Sequence, residues 1–161
     1  MRQERRWPQD IVGECASVRV HYLSGPMRGI PHYNVPAFTR IAAVLRKRGY
    51  SIISPAELDS DAIRSVTEKS TDGKECDRDG LIGGETAGEI LARDVRILHD
   101  KAQGIIFLPG WERSRGARLE AFVALLQKDM EFLHWDDNVE LAFPISRRAI
   151  QDEIHAAWEL T

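Results

Sequence analysis

Residues 18–55 read VRVHYLSGPMRGIPHYNVPAFTRIAAVLRKRGYSIISP, and the fold follows from this stretch. Residues 18–23 are a β-rich run halted by Ser24-Gly25-Pro26, a strand entering a turn. Phe38, Ile41, Ala42 and Leu45 then recur at the spacing of one helical face. Asn34 is placed to cap that helix, Pro36 falls in its first turn, and Gly49 closes it behind Arg46-Lys47-Arg48. Residues 50–54, YSIIS, form a second strand stopped by Pro55. Strand, helix and strand in this order predict a parallel βαβ unit.

The same alternation continues beyond it. Residues 57–84 are rich in Asp, Ser, Thr, Gly and Lys, and predict a long lid-like insertion with one short helix near 61–68. Ala87, Ile90, Leu91, Val95 and Leu98 restore the helical period, and residues 105–108, IIFL, form a third strand ended by Pro109-Gly110. Leu119, Phe122, Val123 and Leu126 mark another helix. The tail carries two strand candidates, 131–134 and 139–143, and a helix from about 146 to 158. The expected fold is α/β: a Rossmann-like, flavodoxin-like three-layer sandwich around a mainly parallel sheet. It is read as one domain, with an irregular arm at 1–17 and an extension at 131–161. Ligands of such sheets sit beyond the carboxyl ends of the strands, which singles out the loops at 24–36 and 109–116.

Composition narrows the function. The 161 residues suit one domain, and 43% hydrophobic residues suffice for a core. A net charge of −3 argues against a partner such as a nucleic acid polymer, whose phosphates demand a basic excess. No apolar run is long enough to span a membrane, and the polar start carries no signal-peptide core, so a cytoplasmic location is expected. Cys15 and Cys76 lack metal-ligand or disulfide spacing, and the five histidines show none either; no metal or cofactor is expected.

Three constellations carry chemistry. Ser24-Gly25-Pro26-Met27-Arg28-Gly29 is a glycine-bearing turn whose N–H groups and arginine suit an anion, or it is an ordinary βα turn. In Gly110-Trp111-Glu112-Arg113-Ser114-Arg115-Gly116, a strand end feeds a helix N-terminus, where N–H groups and dipole favour an anion. There Ser114 either binds a ligand or only caps the helix, and Trp111 either stacks on a base or packs on its own domain. Asp94 shares the stripe of Ile90, Leu91 and Leu98, where a carboxylate is costly unless paired or used, with Arg93 or Arg96 as local partners.

YLSGPMRG at 22–29, Asn34, Phe38, Gly49, Pro55, ARD at 92–94 and LPGWERSRGARLEA at 108–121 together resemble the nucleoside 2-deoxyribosyltransferase-like superfamily. The resemblance covers about residues 18–130 and is nearest a small subgroup with an LPGW-x-x-S-x-G-A-x-x-E signature. It implies cleavage of the N-glycosidic bond of a nucleotide or nucleoside. Glu120 matches the nucleophilic glutamate, Tyr22 the tyrosine that orients it, and Asp94 the aspartate that meets the base. Ser114 and Gly116 match the phosphate-holding pattern of members that hydrolyse deoxynucleoside 5′-monophosphates, and the Arg28 loop is similar to their second phosphate loop. Base exchange between nucleosides and a non-catalytic nucleotide-binding module are the alternatives. A homodimer or higher homo-oligomer is also implied, with contacts near 147–158 or 34–48. The pattern departs at Lys101-Ala102-Gln103, where many relatives carry an aspartate that bears on base recognition.

Overall fold

The computed structural model describes residues 18–76 and 78–159; the arm at 1–17, with Cys15, lies outside them. Five strands form one sheet: β1 (Val20–Ser24), β2 (Ser51–Ile53), β3 (Gly104–Phe107), β4 (Glu131–Asp136) and β5 (Leu141–Pro144). Their order is β2-β1-β3-β4-β5; all neighbours run parallel except the β4–β5 hairpin. The fold is therefore the expected mixed α/β sandwich. The tail is no appendage, because β4 pairs directly with β3 and completes the sheet.

The two faces are separated by strand alternation. Tyr22, Ile105, Phe107 and Phe132 point to one side, against Leu98 of α4 (Ala87–Lys101), Ala117, Ala121 and Ala124 of α5 (Arg115–Leu126), and Ile150 and Ile154 of α6 (Arg147–Glu159). Leu23, Ile106, Leu133 and Trp135 point to the other, against Phe38, Ile41, Ala42 and Leu45 of α1 (Val35–Lys47). The α1 stripe is the one read from sequence. On α5 the reading fails: Leu119, Phe122 and Leu126 are exposed, whereas Ala117, Glu120, Ala121 and Ala124 face inward. Close helix-to-sheet approach selects the small residues, and it carries a glutamate into the interior.

Residues 57–84 carry the expected short helix, and the rest of the segment is packed against the domain. They hold the second half of α2 (Pro55–Leu58), all of α3 (Asp61–Thr67) and a turn-rich run clipped to the loop after β1. Gly29 N donates to Gly73 O, His32 N to Ser70 O, and the Tyr33 hydroxyl to Glu75 O. Tyr33, Ile63 and Ile82 form a small buried cluster beneath the segment. Its polar composition hid two apolar anchors, Ile63 and Ile82, which meet Tyr33 from the loop after β1.

Gly104 shows how tightly the sheet's amino-terminal edge is built. A Cβ there would lie 2.3 Å from Cδ2 of His21, its register partner on β1. The ring cannot swing away freely, since Nε2 bonds Glu131 Oε2 at 2.8 Å and Nδ1 meets Arg19 O at 3.1 Å. Gly104→Ala is expected to cost about 1–3 kcal/mol through overpacking, read as a lowered midpoint in urea melts. An unchanged midpoint would mean that the edge yields freely.

Candidate functional site

The strand order reverses between β1 and β3, and a cavity of about 690 Å³ opens beyond their carboxyl ends. Gly25, Pro26, Met27 and Arg28 follow β1; Pro109, Gly110, Ser114 and Gly116 follow β3; all line this space. A Cβ at Gly25 would stand 2.8 Å from Leu108 Cβ, so only glycine lets the two strand exits come this close. The other walls are α3 and Ile82 on one side, Ile90, Leu91 and Asp94 of α4 on another, and Glu120 at the floor.

Glu120 is 6% exposed, and two hydroxyls from β1 hold it. Tyr22 Oη donates to Oε1 at 3.0 Å and Ser24 Oγ donates to Oε2 at 2.5 Å. Residues 22 and 24 share a strand face by the period-two rule, so one strand supplies both donors. Burial pushes the Glu120 carboxyl up to about 8; the Ser24 and Tyr22 hydrogen bonds pull it back, and the Asp94 charge pushes it up again. Burial also raises Tyr22 well above its usual range, which keeps it a protonated donor.

Asp94 also faces the cavity at 6% exposure. Burial lifts its carboxyl to about 6, against the opposing pull of Arg93. Arg93 grips Asp94 Oδ1 through Nε at 2.9 Å and Nη2 at 2.8 Å, and reaches Asp59 Oδ1 at 2.9 Å and Leu58 O at 3.1 Å. The local pairing expected of Asp94 is made through Arg93, and the side chain also lines the cavity.

The mouth has the opposite polarity. Arg28, Arg113 and Arg115 line it, with the N-terminus of α5 between them. Ser114 caps this helix by accepting from Ala117 N at 3.3 Å, which leaves the N–H groups of Arg115 and Gly116 without helical acceptors. A cationic rim above an acidic floor suits a ligand with an anion at one end and N–H donors at the other.

Several expected contacts fall elsewhere. Ser24 is fully buried behind Glu120 and serves that carboxylate, not a ligand. Gly29 spends its N–H on Gly73 O, and Asn34 gives no helix-capping bond but donates from Nδ2 to Pro26 O at 2.8 Å, bracing the loop. Trp111 packs on Phe107 with ring centroids 4.3 Å apart and belongs to the core, as its alternative reading had it. Gln103 sits at the sheet's opposite edge, where its side-chain oxygen accepts from Val20 N at 2.8 Å, so the departure at 101–103 lies far from the cavity. Arg93 is a local partner of Asp94 that the sequence offered, but Asp59, Ile63 and Ile82 were not singled out; nothing in a polar, aperiodic stretch marks which members turn inward. Among the described residues, no group of three or more His, Cys, Asp or Glu could hold a metal ion. No helix there is long and apolar enough to cross a membrane.

The profile of a domain of unknown function, DUF4406, matches residues 19–72. That span runs from the start of β1 past α3, and so includes Tyr22, Ser24, the Arg28 turn and Asp59. No curated protein matches the chain.

Proposed function

We propose that the chain is a nucleotide N-glycosidase of the deoxyribosyltransferase-like type, acting on a (deoxy)nucleoside 5′-monophosphate. The observation that carries this reading is Glu120: a buried carboxyl, oriented by two hydroxyls, set between an anion-attracting helix end and a second buried carboxyl. Breaking a C–N glycosidic bond builds positive charge at C1′ and negative charge on the base. Ionised Glu120 attacks C1′, the C1′–N bond breaks, and the base departs with its electron pair and takes up a proton from water, while Asp94 on the cavity wall is placed to hold the base. Water then cleaves the glycosyl ester and frees Glu120. Burial raises the Glu120 carboxyl, so Glu120 releases its proton to water before attack, and the positive charge growing at C1′ favours that ionised form. The phosphate at Ser114, Gly116 and Arg28 supplies remote binding energy that positions C1′ over the carboxylate.

Self-association belongs to the same proposal. The face of α5 opposite Glu120 exposes Leu119, Phe122 and Leu126, an apolar row of the kind that a partner subunit covers. The row lies on α5, which is neither of the two segments expected from sequence to make the contact.

The test is chromatography of released base from a panel of nucleotides and nucleosides, with and without a free acceptor base. Hydrolysis of monophosphates supports the reading; exchange only in the presence of acceptor makes the chain a transferase. Ser114→Ala is expected to weaken monophosphate binding by about tenfold, while its nucleoside binds as before, because one charge-assisted hydrogen bond is lost. Equal losses for both ligands would place the phosphate elsewhere.

A further inference from the structure

Asp59 lies at the corner between α2 and α3, 34 residues before Arg93 in sequence, yet it lines the cavity beside Asp94. Each of the two aspartates is 6% exposed. One guanidinium nitrogen, Arg93 Nη2, bonds Oδ1 of both, at 2.9 Å and 2.8 Å. Among the described residues no hydrogen bond reaches either Oδ2, and both residues line the cavity. Arg93 thus fixes two carboxyls in one array and leaves each a free oxygen toward the same space. Thr67 and Tyr33, the other polar side chains on this wall, donate their hydroxyls to Arg64 O and Glu75 O. The remaining wall is Ile30, Ile63, Ile82 and Ile90.

We infer that Asp59 and Asp94, yoked by Arg93, form a two-pronged acceptor for the donor edge of a heterocyclic base, one that presents a ring N–H beside an exocyclic amine. This rests on the nucleotide reading above and names the base class within it. Ionised carboxylates only accept hydrogen bonds, and a single cation between two of them leaves the array net negative. Such an array welcomes two N–H donors and repels carbonyl oxygens, while the isoleucines cover the faces of the ring. Asp59 contacts the base in this account, and Arg93 is a positioning residue.

The experiment is calorimetric binding of three probes to the full chain carrying Glu120→Gln, which keeps the ligands intact. The probes are deoxyguanosine 5′-monophosphate, thymidine 5′-monophosphate and deoxyribose 5-phosphate. The guanine probe is expected to bind at least about tenfold tighter than the thymine probe. Adding Asp59→Asn keeps an acceptor for Arg93 but turns a donor into the cavity. It should weaken the guanine probe by about 10- to 100-fold and leave the sugar phosphate unchanged. Equal weakening of all three probes would make Asp59 merely structural, and no weakening, or no preference for the guanine probe, would overturn the inference. Base release by the unsubstituted chain is followed in parallel. The expected binding pattern without release sinks the glycosidase reading and leaves the base-edge assignment standing; no binding of any nucleotide sinks both.

Discussion

Glu120→Gln is expected to lower the rate of base release by at least about 100-fold, since loss of one preorganised electrostatic group costs roughly 3 kcal/mol of transition-state stabilisation. Glutamine fills the same space and still accepts from Tyr22 or Ser24, so the cavity keeps its shape. What disappears is the negative charge beneath C1′ and the atom that bonds to it. Substrate affinity should hardly change, because ground-state binding comes from the helix end at Ser114 and from Arg28. Full activity in Glu120→Gln, with loss in Glu112→Gln, would place the reacting carboxylate in the loop before α5. Glu112 lines a separate groove with Trp111 and His134, away from the Tyr22–Ser24 pair, so the geometry favours Glu120.

The same substitution should stabilise the protein at alkaline pH. Glu120 is raised from its ordinary 4.5 to about 8 in the folded chain. Between those two values the folded state holds a proton that the unfolded chain has released, so stability falls as pH rises and levels off above about 8. Asp94, raised to about 6, and Asp59, also raised, add the same downward slope at lower pH. Glu120→Gln removes the largest of these contributions. The variant should match the parent near pH 4 and exceed it at pH 9 by about 3–5 kcal/mol, with the remaining decline confined to the acidic side. Urea melts across this range read the difference directly. A parent whose stability rises from pH 5 to pH 9 would show that Glu120 ionises without penalty. The two effects of one substitution are then a stability–activity exchange: the buried carboxyl weakens the fold that it is there to serve.

What could be read in advance divides along physical lines. The βαβ start, the third strand and the α1 stripe were legible because strand and helix periods are local properties of the chain. The cavity's place was legible too, since glycine-bearing turns after two parallel strands mark the switch point of such a sheet. Glu120 as an inward residue was not legible from periodicity, which put the apolar face of α5 on Leu119, Phe122 and Leu126. Only the resemblance singled it out, together with Tyr22, whereas Asp94 also stood out on its helix stripe; the structure bonds Tyr22 to Glu120 and sets Glu120 and Asp94 on one cavity. Asp59 and the clips between the Arg28 turn and residues 70–75 escaped because they are long-range contacts made by residues without a pattern of their own. Ser24 and Trp111 show the converse. Their types suit a ligand, and burial assigns them to Glu120 and the core instead.

The most direct test of Glu120 as a nucleophile is mass spectrometry of the chain quenched with acid during turnover of a cleaved monophosphate. The account predicts a covalent increment equal to the sugar phosphate, mapped by fragmentation to the peptide that carries Glu120 and absent from Glu120→Gln. Steady release of base with no increment on any residue, or an increment on a different carboxylate, would contradict it.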